Sequence, residues 1–213
     1  MNNTLKQQLI DQALHIIDER GNDPSHDGSH ALQVLKNVEQ IAAAEGGDLD
    51  VLIPAALLHD VVIYAKNDPK SDQAPAESAV LTKHVLENLS GYPQEKISQV
   101  MAVISGCSFN KKEVPATLEG KILCDADKLE ATGAVSIMRT FSSGGQMGRP
   151  LYHRTDPFAE NREADAKLQS LDLFYERLLI AKDRLHTDTA RVIAQQRTEI
   201  LHQFLEQLKK ELI

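Results

Sequence analysis

The sequence is poor in the residues that stabilise small secreted proteins. Its 213 residues include no tryptophan and only two cysteines, and aromatic residues make up 4% of the chain. Cys107 and Cys124 lie 17 positions apart without a CxxC spacing, so we interpret them as reduced thiols. A chain of this length can still bury a substantial core without covalent cross-links.

The sequence also lacks an apolar segment long enough to span a membrane and a stripe of basic residues that would bind nucleic acid. No apolar run approaches the roughly 20 residues of a membrane-spanning helix. The N-terminal stretch MNNTLKQQLIDQALHIIDERG is amphipathic and has neither the apolar core nor the cleavage site of a signal peptide. The net charge of −8 argues against a nucleic-acid polymer as partner but leaves a small anionic ligand open. We therefore expect a cytoplasmic protein that binds neither membranes nor nucleic-acid polymers.

Helical periodicity dominates what remains, and sustained strand alternation is missing. The pattern predicts an all-α fold in a single domain, residues 1–213, with helices at 4–20, 29–45, 76–90, 93–105, 117–141, 163–184 and 188–211. Another helix is predicted from an N-cap at Asp50 to about Tyr64, with Pro54 in its first turn. Thr117 is a candidate cap for the helix that follows it. The last two helices are expected to pack as a hairpin or to form a homodimer contact.

Two polar segments interrupt the helices. Residues 66–78 contain two prolines and are predicted to form a loop. Residues 142–163, SSGGQMGRPLYHRTDPFAENRE, have the glycine and proline density of a long loop. Such loops in compact domains are more often functional than idle, so this one is a candidate lid.

Three short stretches place ionisable side chains within apolar helical patterns: HDGSHALQV at 26–34, LLHDVV at 57–62 and ILCDADKL at 122–129. His30 points inward, His59 and Asp60 are adjacent, and Asp125 and Asp127 each share a helix face with apolar residues. A divalent cation would neutralise such carboxylates and accept imidazole lone pairs. Each stretch alone is a weak signal, because a lone buried histidine is more often a satisfied core residue.

The ordered set His30, His59-Asp60 and Asp127 resembles the H…HD…D signature of the HD-domain metal-dependent phosphohydrolases. The likeness extends to AEGGDLDVLIPAALLHDVVIYAKN, and KILCDADKLEATGAVSIMRTF and FSSGGQMG followed by DPFAE are similar to segments of one bacterial subgroup. It covers roughly residues 26–160. The resemblance implies an HD-domain helical bundle, with a core of about 26–145 and additional helices at about 160–211. It also implies one divalent metal ion (Mn, Fe, Ni, Co, Mg or Zn) held by His30, His59, Asp60 and Asp127.

The resemblance also distinguishes between neighbouring residues. Its first ligand opens an amphipathic helix, a position that matches His30 rather than His26. Related sequences read ADRL or ADKL around the last ligand, which selects Asp127. Asp125 would then orient a histidine or water, or simply be a neighbour in the chain.

The sequence departs from the family pattern at several positions. Gln33 stands where the subgroup often has arginine, and Cys107 where many relatives have histidine. His84 is the only histidine between the HD pair and Asp127, which favours one metal over two.

Basic and amide residues near these stretches are candidates for substrate binding. Lys66 and Asn67 match a Lys-Asn pair of the resembling sequences, and Lys66 could clamp a phosphate or simply serve the helix macrodipole. Arg139, Arg149 and Arg154 flank the glycine-rich loop and could hold further phosphate oxygens, or be ordinary surface arginines.

These residues lead to a functional hypothesis. We expect hydrolysis of a phosphate ester or anhydride of a nucleotide by metal-activated water. Asp60 or Asp127 would hydrogen-bond the water, and Lys66 would offset charge on the phosphoryl oxygens. Two alternatives stay open: a cyclic-nucleotide or other phosphodiesterase of the same fold, and a non-catalytic module that binds metal or nucleotide.

Overall fold

The structure is a computed structural model that describes residues 1–20, 27–64, 68–107 and 114–213. The chain divides into two compact units, Met1–Asp127 and Lys128–Ile213. The predicted all-α fold is confirmed, since the described residues form helices joined by turns and irregular segments, with no strand among them. The single-domain interpretation stays a prediction.

The first unit is built around a short helix that is buried from its third residue onward. Its α-helices are α1 (Asn3–Glu19), α2 (Gly28–Glu45), α3 (Leu49–Leu58), α4 (Ala74–Glu87), α5 (Ile97–Gly106) and α6 (Leu118–Lys128), the last residue of which opens the second unit. Every residue from Val51 to Leu58 is buried, and α1, α2, α4 and α5 all pack against α3. A helix that is apolar on all sides belongs in the centre of a core.

The bounds of α3 correct the sequence prediction. Its N-cap is Asp48, whose side chain accepts the N–H of Asp50 at 2.9 Å, and the helix ends at Leu58 rather than near Tyr64. Pro54 therefore lies beyond the first turn, where its missing N–H leaves the Asp50 carbonyl without a helical donor. The buried Tyr92 hydroxyl donates to that carbonyl at 2.8 Å. This hydrogen bond explains how a proline is tolerated inside the central helix.

The other helices of this unit follow the predictions with smaller changes. The α1 and α2 helices match their predicted ranges, and α5 is preceded by a 3-10 turn, Gln94–Lys96. The predicted loop at 66–78 is shorter than expected, because a 3-10 turn at Ser71–Gln73 leads directly into α4. The Thr117 hydroxyl accepts the Gly120 N–H at 3.1 Å, which confirms that it caps α6.

The helix predicted over 117–141 is broken in two. After α6, a 3-10 turn at Leu129–Ala131 is followed by extended Thr132 and by Gly133 with a φ of 72°. Helix α7 (Gly133–Gln146) then begins as a separate element. The positive φ favours glycine, which accounts for the break.

The second unit pairs α7 with α8 (Asp188–Leu212). Phe174 stacks on Phe204 at 5.5 Å between ring centroids, and Phe141 lies 6.1 Å and 6.2 Å from these two rings. The prediction of an α-helix at 163–184 is wrong. That region holds only a π-helical turn, Phe174–Leu178, and a 3-10 turn, Ala181–Arg184. The predicted hairpin of two α-helices over residues 163–211 therefore does not form.

The predicted long loop starts later than residue 142, because α7 continues to Gln146. Backbone hydrogen bonds join Ser170 to Pro150 at 3.0 Å and Leu171 to Leu151 at 2.9 Å. A Cβ at Gly144 would meet the Ser170 hydroxyl at 2.1 Å, so this segment packs directly on α7.

The helices are short or polar relative to the needs of a membrane span. Within the described ranges, none of them combines the length and apolar character required to cross a bilayer.

Candidate metal centre

The first candidate ligand, His30, sits in the opening turn of α2. The carboxylate of the N-cap residue Asp27 accepts the His30 backbone N–H at 3.1 Å, which fixes the residue where the helix starts. The His30 side chain is 2% exposed, as its place on the apolar face predicts.

The second candidate ligand, His59, directly follows α3. Its Nδ1–H donates to the Ala56 carbonyl at 2.9 Å, which assigns the ring proton to Nδ1 and turns the Nε2 lone pair outward from the helix. Within the described parts of the chain, this buried Nε2 has no hydrogen-bond partner. A buried nitrogen held in one tautomer but left without a partner is suited to bind a cation.

Two carboxylates face the imidazoles. Asp60 Oδ2 lies 3.7 Å from His30 Nε2 and 3.6 Å from His59 Nε2. Asp127 Oδ1 lies 3.7 Å and 3.9 Å from the same two nitrogens. Asp60 stands in the turn after α3 and not on the helical stripe that the sequence predicted, because the helix has already ended.

Helix α6 delivers Asp127 through a contact with α2. The buried Asn37 amide donates to the Ala126 carbonyl at 3.0 Å, one residue before the aspartate. Asn37 lies on the same face of α2 as Val34 and Ile41, and sequence reasoning missed it. Its position as a polar residue on an otherwise apolar helix face could have indicated a buried hydrogen bond.

The imidazole nitrogens and carboxylate oxygens are gathered in one place but stand too far apart to hydrogen-bond one another. One ligand atom each from His30, His59 and Asp127 lie within 4.8 Å of one another, and the two imidazole centroids are 5.4 Å apart. The nitrogen-to-oxygen distances of 3.6–3.9 Å exceed ordinary hydrogen-bond lengths. Imidazole nitrogens and carboxylate oxygens suit Mn, Fe, Ni, Co or Zn. The residues therefore fit a divalent metal ion.

Exposure differs across this centre. The imidazoles are 2% and 6% exposed, whereas the side chains of Asp60 and Asp127 are 34% and 22% exposed. The centre is thus open to solvent on its carboxylate side and closed behind the histidines. A small molecule would approach from the carboxylates.

Cys107 and Cys124 are both buried free thiols of the same unit. The hydrogen bond with Cys124, together with burial, raises the pKa of the Cys107 thiol, and the charges of Asp127 and Asp60 act in the same direction. The Cys107 thiol is therefore protonated at neutral pH and a poor competitor for a metal ion.

Several other residues singled out in the sequence are not part of this cluster or cannot be compared with it. Lys66, Asn67 and His26 lie outside the described residues. His84 is exposed on α4, 3.6 Å from Glu87, and Asp125 is fully buried on α6.

The predicted substrate arginines belong to the second unit. Arg139 on α7 pairs with Glu130 at 3.4 Å, Arg149 follows α7 and is half-buried, and Arg154 is exposed. Their assignment to substrate binding stays a prediction.

Known proteins match the part of the chain that carries this centre. A family model described as the HD domain matches residues 28–132. The YpgQ protein of Bacillus subtilis (strain 168) is 32% identical over 193 residues, which cover 88% of this chain and 84% of YpgQ. The chain belongs to the HD-domain phosphohydrolase superfamily. The predicted family is confirmed, and YpgQ places this HD domain in a bacterial subgroup.

Solved structures share the fold of this HD-domain protein along nearly its whole length. The crystal structure of Bacillus subtilis YpgQ in complex with ADP has a TM-score of 0.72 at 28% identity, and covers 98% of this chain and 95% of that one. An HD-superfamily hydrolase from Bacillus thuringiensis has a TM-score of 0.72 at 31% identity, with 97% and 95% covered. The C-terminal extension beyond the HD domain is therefore shared with these relatives.

Proposed function

We propose that this HD-domain protein is a metal-dependent phosphohydrolase that acts on nucleotides. The observation that carries the proposal is the cluster of His30, His59 and Asp127, with Asp60 beside both imidazoles. Membership of a superfamily that contains hydrolases supports the reaction class. His30, His59, Asp60 and Asp127 would hold one divalent ion, which supplies Lewis acidity that acidifies water and polarises a phosphoryl oxygen.

The two kinds of side chain have different tasks in this proposal. Both imidazoles are buried, and the Ala56 carbonyl orients the His59 ring, so the two rings would serve as fixed nitrogen ligands. The partly exposed carboxylates of Asp60 and Asp127 reach solvent, where an oxygen of either can accept a hydrogen bond from the attacking water and align it. Aligning the water against the phosphorus is the positioning part of the catalysis.

The nucleotide part of the proposal is supported by YpgQ, which was crystallised with ADP. By likeness to YpgQ we assign a nucleotide to this chain, with hydrolysis either to a nucleoside or to a monophosphate and pyrophosphate. Lys66, Asn67, Arg139 and Arg149 are proposed to hold phosphate oxygens, since cationic and amide donors complement the phosphate charge.

A substrate panel tests this function. Protein freed of metal with a chelator is reloaded with Mn, Mg, Co or Ni and incubated with nucleoside mono-, di- and triphosphates and with cyclic nucleotides. We expect metal-dependent turnover of at least one non-cyclic nucleotide, with the products scored as phosphate or pyrophosphate. Turnover of cyclic nucleotides alone would instead establish a phosphodiesterase.

Two variants make the panel specific. Asp127→Asn keeps the shape of the side chain but loses its charge, and we expect its activity to fall to background. His84→Ala removes an exposed histidine of the same unit and should retain wild-type activity. Metal-loaded wild-type protein that binds Mn²⁺ but turns over none of these compounds would favour the non-catalytic module.

A further inference from the structure

The turn that carries Asp60 is hydrogen-bonded by side chains that lie outside the H…HD…D pattern. This turn, residues 58–62, begins at the last residue of α3 and contains both His59 and Asp60. Helix ends leave carbonyl groups without intrahelical donors, so this partly buried turn needs partners from elsewhere.

Ser78 of α4 is the main hydrogen-bonding partner of this turn. Its hydroxyl oxygen accepts the Val62 N–H at 3.0 Å, and its O–H points to the Val62 carbonyl at 3.4 Å. Ser78 is fully buried, so water cannot replace it. One hydroxyl thus serves both backbone groups of the residue two positions after Asp60.

Thr82, one helical turn further along α4, lies at the other end of the 58–62 turn. Its hydroxyl donates to the Ser78 carbonyl at 2.7 Å and reaches the Leu58 carbonyl at 3.5 Å. Because one proton serves both acceptors, the shorter bond dominates, and the contribution of Thr82 to the turn is secondary.

Arg20, at the end of α1, approaches from a different helix. Its guanidinium donates to the Val61 carbonyl, the group directly after Asp60 in the chain. Arg20 is exposed, so this contact fixes the turn without contributing to the core.

We propose that Ser78, assisted by Arg20, is a positioning residue for the metal centre. The proposal rests on the function proposed above and adds which residues set the place of Asp60. Asp60 Oδ2 is 3.6 Å and 3.7 Å from the two imidazole nitrogens, so a small displacement of the 58–62 turn changes the spacing of the ligand atoms. Partners that orient metal ligands typically account for 10–100-fold in metal affinity or activity.

The test is a calorimetric titration of Mn²⁺ into chelator-treated protein without substrate. We expect Ser78→Ala to bind Mn²⁺ about 10-fold more weakly than wild type, at the lower end of that range. Ser78→Thr, which keeps the hydroxyl, should recover most of the affinity. At saturating Mn²⁺, hydrolysis by Ser78→Ala should show a lower kcat with KM nearly unchanged.

Ser136→Ala is the matched control. Ser136 is likewise a buried helical serine, but its hydroxyl donates to the Gly133 carbonyl of its own helix at 2.7 Å. A loss of stability is expected in both alanine variants, whereas weaker Mn²⁺ binding is expected only in Ser78→Ala. Arg20→Gln, at an exposed position, provides a second variant that folds even if Ser78→Ala does not, and its Mn²⁺ affinity should also fall.

The outcomes separate the two proposals. Wild-type affinity in folded Ser78→Ala, or in Arg20→Gln where Ser78→Ala does not fold, overturns the positioning role and leaves the proposed function intact. A loss of affinity in Ser136→Ala equal to that in Ser78→Ala also overturns it, because a general structural effect would then explain both. Wild-type protein that binds Mn²⁺ and shows the Ser78 effect but hydrolyses no nucleotide contradicts only the proposed function. Wild-type protein that binds none of Mn²⁺, Mg²⁺, Co²⁺ and Ni²⁺ overturns both.

Discussion

Two clusters of ionisable side chains, one in each unit, differ in how their buried members are satisfied. In the second unit, fully buried Asp172 accepts two hydrogen bonds from Arg162, at 2.5 Å and 2.7 Å, and one from the Asp165 N–H at 2.7 Å. In the candidate metal centre, the nitrogen-to-oxygen distances are 3.6–3.9 Å. His59 Nε2 has no hydrogen-bond partner in the described chain.

This difference in hydrogen bonding indicates that the Arg162–Asp172 cluster is structural, whereas the candidate metal centre is suited to bind a ligand. A buried carboxylate surrounded by donors is already neutralised, and its role is to hold residues 162–172 in place. Imidazoles and carboxylates that stand beyond hydrogen-bond distance of one another leave room for a cation between them. We therefore expect the first cluster to control stability and the second to control activity and metal binding.

The largest effect should come from His59→Ala in the metal centre. We expect nucleotide hydrolysis to fall by at least about 100-fold, because the loss of partners that merely orient ligands already costs about 10–100-fold. Steady-state kinetics at saturating metal measure this, with His84→Ala as the histidine control. Retention of full activity would remove His59 from the mechanism.

The next effect should come from Asp172→Asn in the structural cluster. The variant leaves the Arg162 guanidinium without its counter-charge, and we expect a loss of about 3 kcal/mol in the free energy of unfolding. This is the low end for a broken buried pair, because the Arg162 side chain is 21% exposed. Urea unfolding measures the loss.

The same variant should leave the Mn²⁺ affinity of the folded protein unchanged. A variant of wild-type stability, or one that binds Mn²⁺ much more weakly while folded, would contradict the separation of the two clusters.

Tyr92→Phe tests the hydrogen bond between the Tyr92 hydroxyl and the Asp50 carbonyl in the first unit. Removing the hydroxyl leaves the Asp50 carbonyl without a donor, which should reduce the free energy of unfolding by about 1–2 kcal/mol. In a Pro54→Ala background the loss should be smaller, because an alanine at this position restores a backbone N–H for that carbonyl. Equal losses in both backgrounds would refute this explanation of Pro54.

The Tyr92 contribution should also depend on pH. Burial raises the pKa of the Tyr92 phenol above its usual value of about 10. Since the folded state favours the neutral phenol, the stabilisation is complete below about pH 10 and is lost as pH rises toward the folded pKa. The stability difference between wild type and Tyr92→Phe should therefore shrink above about pH 10, as alkaline denaturation curves can measure.

The smallest effect is expected at an ion pair on the surface of the second unit. Lys209 contacts Glu160, and both side chains are about half exposed (51% and 52%). Lys209→Met should change the free energy of unfolding by less than about 0.5 kcal/mol. Thermal or urea unfolding beside Asp172→Asn gives the contrast, and similar losses in the two variants would show that burial does not decide the strength of these pairs.

Much of the fold could be predicted from the sequence, where one helix face is apolar over several turns. The α1, α2 and α8 helices match their predicted ranges for this reason. The predictions for 117–141 and 163–184 were wrong where local backbone geometry overrides periodicity. The positive φ of Gly133 breaks the first, and the second is largely irregular where Arg162 and Asp172 pair.

The candidate centre was predictable in its residue types but not in its geometry. The order of His30, His59-Asp60 and Asp127 singled these residues out, and the structure brings all four together. The end of α3 before Asp60 was missed, because apolar residues continue through Val61 and Val62 and hide the end of the helix. The contacts of the Ala56 carbonyl and the Ser78 hydroxyl could not be predicted from the sequence, because every residue has a carbonyl and buried serines are common.

The most direct test of the account is the stoichiometry of divalent metal binding. Chelator-treated wild-type protein titrated with Mn²⁺ should bind one equivalent per chain, and His59→Ala should show no saturable binding over the same concentration range. The absence of saturable binding by the wild type, or equal binding by the variant, would contradict the claim that these four side chains form a metal centre.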